Sequence, residues 1–281
     1  MARLFVIGNG FDRAHELPSD YKEDFRPLLE QSPFAHYFLE LFPESKKDTW
    51  WSDFEINLYH GKYAEFLKKH HEEMDKYQIS RFENRQAGGF LNDSFQQVIE
   101  KFVQKVDACA LYQPKLPKIF TSTDSFVSFN YTNTLERGYS INPESNILYI
   151  HKQPDKSKKY ILGYDEKLSA GDNCFEECTN FHVHYRYLLD DFQKEYQTER
   201  MIEFLKGKDT EEIIVLGHSL GEIDKKYFEE LKSIFPNSSW SISYYRESDP
   251  VIKNIELYDF LSKDSLFRWV QEETSKGCET K

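Results

Sequence analysis

The sequence predicts an α/β fold: a Rossmann-like, largely parallel sheet with helices on both faces and an inserted helical layer or subdomain. Three observations carry this reading. A short apolar run at 4–7 ends in Gly8-Asn9-Gly10, as a buried parallel strand does where it turns into a helix. A stretch of helical periodicity over roughly 20–112 then follows, far longer than the dozen or so residues that a plain crossover requires. Strands and helices alternate through the second half of the chain, the pattern of a parallel sheet covered on both faces. The expected organisation is one α/β domain over 1–281, with the helical insertion inside it.

The elements follow in order. Segments 20–43 and 50–77 are expected to be helical, with Trp51, Phe54 and Leu58 on one stripe and Tyr63, Phe66 and Leu67 on the next. A further helix over 91–112 places Phe95, Val98, Ile99, Phe102 and Val106 at helical spacing. Strands are expected at 125–130 (SFVSFN) and 146–150 (NILYI), with a short one at 160–162. A helix over 181–206 leads to a buried strand at 212–216 (EIIVL) and a helix at 224–234. An alternating strand at 240–244 comes next. A strand or turn at 254–261 and a closing helix at 264–274 finish the chain. The Lys-rich run at 155–159 (DKSKK) reads as a solvated loop.

Composition narrows the class. Of 281 residues 39% are hydrophobic and 16% aromatic, so Phe and Tyr can fill a large core despite modest aliphatic content. The net charge of −12 disfavours an extended nucleic-acid surface, because an acidic surface repels phosphate backbones. A local pocket for one nucleotide remains compatible with it. Four cysteines (109, 174, 178 and 278) are too few for a disulfide framework. With no signal-peptide pattern in MARLFVIGNG and no apolar stretch long enough to span a bilayer, the expected location is the cytoplasm, with no membrane partner.

Ligands of open parallel sheets bind beyond the carboxyl ends of the strands, and four motifs fall there. Gly8-Asn9-Gly10-Phe11-Asp12-Arg13 follows the first strand, where two glycines let the backbone approach a phosphate with its amides pointing outward. Arg13 stands where the dinucleotide fingerprint has its third glycine, so this is not a standard fingerprint. Ser128-Phe129-Asn130-Tyr131-Thr132 ends another strand. An Asn amide there can orient a ribose or a water, while Thr132 or Asn133 is a natural helix cap. His151, after NILYI, is either a general base or a structural histidine. Gly217-His218-Ser219-Leu220-Gly221 matches G-x-S-x-G between strand and helix, the setting of a hydrolase nucleophile. That fold carries its histidine after the serine, and no histidine follows His218, so a Ser219 hydrolase is the lesser reading.

Two further motifs point less to a ligand. Cys174-x3-Cys178 lacks an evident zinc partner set, although His182 and His184 lie nearby, and free thiols are the expected state, with no metal site. Glu55, in Trp51-Ser52-Asp53-Phe54-Glu55, is either aimed into a cleft or a surface acid beside a core stripe.

Taken together, FVIGNGFDRAHELPSDYKEDF at 5–25, WSDFE at 51–55, FNYTNTLE at 129–136, ILYIHK at 147–152, ILGYDE at 161–166 and VLGHSLGEIDKKYF at 215–228 resemble the bacteriophage abortive-infection AbiH family, in order and over most of the chain. That family is in turn similar to sirtuin-like NAD-binding domains. The resemblance implies an antiphage defence protein whose pocket takes NAD or a related nucleotide as ligand or substrate, with no other cofactor. It implies that Asn130 positions the ribose and the attacking water and that His151 is the base. It also implies that Gly8, Asn9, Gly10, Phe11, Asp12, Tyr131, Gly217, His218, Ser219 and Asp224 line the nucleotide. A phage-derived trigger is the implied partner, and a homo-oligomer is compatible with it. The chain departs from the sirtuin-like pattern at Glu16, Thr132 and Lys152, which stand where glycine, aspartate and glycine are usual. The paired zinc cysteines of true sirtuins are missing too. Protein deacylation is therefore not expected. NAD hydrolysis or nucleotide sensing without chemistry are the two activities left.

Overall fold

Strand β1 (Arg3–Ile7) is the hub of a six-stranded, all-parallel sheet. In this computed structural model the described residues are 2–33, 35–59, 81–110, 119–152, 160–161 and 196–269. The other strands are β2 (Ser125–Ser128), β3 (Ile147–Tyr149), β4 (Glu212–Leu216), β5 (Ser239–Tyr244) and β6 (Leu266–Arg268). Their order is β3-β2-β1-β4-β5-β6, so the direction of winding reverses between β1 and β4. That is the topological switch point of a doubly wound sheet. Leu4 to Ile7 are at most 1% exposed, which is why β1 reads as an unbroken apolar run rather than an alternation. Ile7 lies opposite both Ser128 and Leu216, so β1, β2 and β4 end level with one another. Gly8, Phe129 and Gly217 are the first residues beyond those ends.

The chain divides into two compact units. The sheet belongs to the first, which comprises Met1–Leu17, Cys109–Ile150 and Thr198–Lys281. Helix Thr134–Tyr139 lies in the connection from β2 to β3, helix Lys225–Ile234 in that from β4 to β5, and helix Pro250–Asn254 in that from β5 to β6. Right-handed crossovers running in opposite directions from the switch point put such helices on opposite faces of the sheet. Phe5, Ile7, Phe11, Phe126, Leu135, Ile147, Leu216 and Trp269 share one apolar core, where Phe5 stacks on Phe126 at 5.4 Å. Each such fully buried phenylalanine stabilises the fold by about 2–3 kcal/mol.

The second unit comprises Pro18–Ala108 and His151–Gln197. Its described part is built on aromatic packing. Trp51 stacks on Phe54 at 5.5 Å, and Phe25 and Phe38 pack against Phe95 of helix Arg81–Ala108. The Trp51 indole N–H donates to the Ser45 carbonyl at 2.8 Å. Phe95, Val98, Ile99, Phe102 and Val106 are all buried, as their spacing predicts. Glu55 is half-buried and accepts a long hydrogen bond from the Tyr21 hydroxyl at 3.5 Å.

Several expected elements differ. Segment 20–43 is not one helix but a π-helical turn (Tyr21–Phe25) capped by Asp20, then helices Arg26–Glu30 and Ala35–Leu41. The break after Glu30 falls in Gln-Ser-Pro, and proline disfavours helix in the residue before it. Segment 50–77 is a 3-10 turn (Asp48–Asp53) and a helix (Phe54–Tyr59), and 60–80 lie outside the described residues. The short strand at 160–162 is a single bridge between Lys152 and Tyr160. Segment 254–261 is a 3-10 turn at Ile255–Leu257. The closing helix at 264–274 is instead the edge strand β6, where the sheet's register overrides local preference, and 270–281 lie outside the described residues. The helix expected over 181–206 begins only at Thr198 and runs to Leu205, since Tyr196 and Gln197 are not helical, and 181–195 lie outside the described residues. The loop at 155–159 and Cys174, Cys178, His182 and His184 also lie outside the described residues.

Candidate functional site

At the switch point the two glycine turns pack directly on each other, backbone against backbone. The Gly8 amide donates to the Leu216 carbonyl at 3.0 Å, and the Gly10 amide to the Gly217 carbonyl at 2.8 Å. A Cβ on Gly8 would sit 2.6 Å from the Cα of His218, and one on Gly10 2.8 Å from the Cα of Gly217. Gly217 has φ +67°, and a Cβ there would lie 2.2 Å from the Phe11 nitrogen. The glycines are therefore dictated by the close approach of the two turns. This corrects the expectation that the first turn points its amides outward, since the amides of Gly8, Gly10 and Phe11 all bond within the protein. The Phe11 ring is fully buried against His15, Tyr139 and Trp269, while Asn9 and Gly10 stay partly exposed.

Beyond the β1 turn, Asp12 is 1% exposed. Its two carboxylate oxygens accept hydroxyl hydrogen bonds from the far side of the β1–β2 pair. Thr132 Oγ1 donates to Oδ2 at 2.5 Å and Thr134 Oγ1 donates to Oδ1 at 2.7 Å. The two hydroxyls lie 3.2 Å apart. Hydroxyl-to-carboxylate bonds this short are charge-assisted, so the arrangement suits an ionised Asp12. Asn133 occupies the cap position of helix Thr134–Tyr139 but its side chain makes no capping bond. The expected capping role of Thr132 or Asn133 is thus replaced by the bond from Thr132 to Asp12.

Asn130 stands two residues past β2. Its backbone N–H donates to the Ser128 hydroxyl at 3.2 Å. Its side chain is 6% exposed, yet neither Oδ1 nor Nδ2 meets a hydrogen-bond partner among the described residues. Buried amides are almost always bonded, because each unmet group costs about 1–3 kcal/mol. A donor and an acceptor held together in this way fit a ligand that offers both, such as a sugar hydroxyl or a bound water. Tyr131, the next residue, is buried as well.

On the β4 side the Ser243 hydroxyl of β5 accepts the Gly217 N–H at 2.9 Å. His218 is 6% exposed, and its Nδ1 accepts the Leu220 amide at 2.9 Å. The ring proton therefore sits on Nε2, which faces Asp224 Oδ2 at 3.3 Å. Both imidazole nitrogens are committed, so His218 cannot serve as base for Ser219. Ser219 is exposed, and the left-handed residues of its turn are Gly217 and Leu220. The strained serine of a hydrolase elbow is not reproduced here.

The first unit thus brings Gly8, Asn9, Gly10, Asp12, Asn130, Tyr131, Gly217, His218, Ser219 and Asp224 to one edge of its sheet. His151 belongs to the second unit, where it is 2% exposed and its carbonyl accepts the Ile161 amide at 2.9 Å. Sequence reasoning missed Thr134 and Ser243. The signal for Thr134 is an acid one turn into a buried helix, because such a carboxylate requires donors from elsewhere and two threonines follow Asn130.

No helix among the described residues is long and apolar enough to cross a membrane. No curated protein and no solved structure matches the chain significantly. The family model of bacteriophage abortive infection AbiH matches residues 4–244. The sheet from Leu4 of β1 to the end of β5 and both glycine turns fall within that match, and the chain belongs to the bacteriophage abortive infection AbiH family, with the antiphage role that this family carries.

Proposed function

We propose that the carboxyl edge of the first unit's sheet binds NAD or a related nucleotide and that the protein hydrolyses its nicotinamide–ribose bond to arrest an infected cell. The observation that carries this reading is Asn130, a buried amide with both polar atoms unmet among the described residues, at the switch point of a β3-β2-β1-β4-β5-β6 sheet. In the proposed reaction a water oxygen bonds to the ribose C1′, the C1′–N bond breaks with its electron pair going to nicotinamide, and the water proton passes to a base. The transition state carries positive charge at the ribose, so hydroxyl contacts and carboxylates held in a dry site favour it over the ground state. Asn130 would hold the ribose or the water, and His151 is the base that the family resemblance implies. NAD is the substrate, and no other cofactor is invoked. A phage-derived component as trigger and a homo-oligomeric active form belong to the same proposal.

A second reading is a nucleotide sensor without chemistry. It is favoured by the engagement of Asp12 with two threonine hydroxyls and of the Gly8, Gly10 and Phe11 amides within the protein, which commits polar groups to architecture. One experiment separates the readings. The purified protein is incubated with NAD, with and without phage lysate, and released nicotinamide is followed by chromatography beside Asn130→Ala and His151→Ala. Release abolished in both variants supports the hydrolase. Binding measured by calorimetry without release, lost in Asn130→Ala and kept in His151→Ala, supports the sensor. Neither binding nor release removes NAD as the ligand.

A further inference from the structure

We propose that Asp12, Thr132 and Thr134 form a buried clasp whose task is to position Asn130, and that Asp12 acts through this loop and not by touching the nucleotide. The inference rests on the reading of Asn130 as a ligand-binding residue. Asp12 is presented by helix Asn9–Ala14, immediately after the turn that Gly217 locks from the β4 side. Thr132 and Thr134 lie about 120 residues away in sequence, two and four positions after Asn130. All three clasp residues are at most 3% exposed.

Each hydroxyl has one proton, and each proton is used on a different oxygen of the same carboxylate. Asp12 therefore fixes the loop at two points and in one orientation. The loop's other end is held by the Phe129 amide on the Ile7 carbonyl at 2.8 Å and the Asn130 amide on Ser128 Oγ. Asn130 thus sits between two anchored points, while its own side chain is left without a partner among the described residues. A loop without the clasp would let that amide turn toward backbone groups and satisfy itself, which would remove the unmet donor and acceptor that a ligand would use.

The test uses the full chain with Thr132→Val and Thr134→Val combined, which keeps shape and removes both hydroxyls. The matched control is Thr132→Ser with Thr134→Ser, which restores them. Two readouts do not require turnover. One is the side-chain amide resonance of Asn130 in a ¹H–¹⁵N spectrum, assigned by its loss in Asn130→Ala. The other is backbone hydrogen exchange over 129–134. The expected result for the valine pair is a displaced or broadened Asn130 resonance and exchange faster by about tenfold or more. The serine pair should keep both near the parent values. If the parent protein turns over NAD, kcat should fall by about tenfold or more in the valine pair with a smaller change in KM, and serine should recover it. Should the valine pair fail to fold, Thr134→Val alone, which removes one of the two bonds, is measured in the same way. An unchanged Asn130 resonance and unchanged exchange in a folded valine variant would overturn the clasp. A displaced resonance with serine recovery supports it even where NAD is never consumed, and that combination would sink the hydrolase reading alone.

Discussion

Asn130 is held in a state that a protein selected for stability alone would not keep. Its amide is buried and its two polar atoms have no partner among the described residues, at a cost of about 1–3 kcal/mol for each unmet group. Leucine has nearly the same shape and no polar atoms. Asn130→Leu is therefore expected to leave the melting temperature of the free protein unchanged or to raise it by a few degrees, on the order of 1 kcal/mol, while abolishing nucleotide binding. Urea unfolding and calorimetric titration with NAD measure both sides. A loss of about 2 kcal/mol or more on unfolding would show that the amide is bonded in the free protein, and the case for a ligand there would fall with it. Asn130 was legible in the sequence as a polar residue at a strand end. Its isolation was not, because whether a buried amide finds a partner depends on groups far away in the chain.

At the scale of elements, the two glycine turns are one structural unit made from segments about 200 residues apart. Gly217→Ala meets two obstacles: a left-handed backbone at φ +67° and the Phe11 nitrogen 2.2 Å from the new methyl. Gly207, at φ +75°, has open space around it, with nothing within 4 Å of the methyl that alanine would bring. Gly207→Ala is thus expected to cost only the conformational penalty, about 1 kcal/mol. Gly217→Ala should cost more than about 3 kcal/mol, because the obstructing atoms are backbone and cannot move aside. Denaturant titrations of the two variants provide the comparison, and equal losses would mean that the turns do not touch. The sequence showed a glycine motif after each strand and suggested phosphate binding for the first. What the glycines do is let β1 and β4 end side by side, a reason that becomes visible only when both turns are in place.

For the whole molecule, membership of the abortive-infection family and a net charge of −12 lead to a cellular expectation. The acidic surface disfavours a mechanism through bulk nucleic acid, and the proposed pocket concentrates function on a few residues. Cells carrying Asn130→Ala should lose phage protection in a plaque assay, with plaque counts rising to those of cells lacking the protein. Immunoblots should show unchanged protein abundance. Retained protection at equal abundance would place the defensive activity away from the carboxyl edge of this sheet.

The sequence by itself determined the fold class and most strand positions, because buried parallel strands must be continuous apolar runs and leave a local mark: 3–7 and 212–216 are the clearest cases. It also pointed to the family, through motifs spread over most of the chain. The tertiary structure decided the rest. It made a strand of 266–268 because β5 offered an edge in register, whereas the break of segment 20–43 into three short helices follows local proline and capping signals. Most of all it decided partners. That Asp12 meets Thr132 and Thr134 while the Asn130 side chain meets no partner among the described residues is set by which strand ends lie level, and that His218 faces Asp224 is set by the fold of the turn after β4. The bonds of Asp12 are long-range, and neither they nor the His218–Asp224 pair carry a periodicity that a sequence could display.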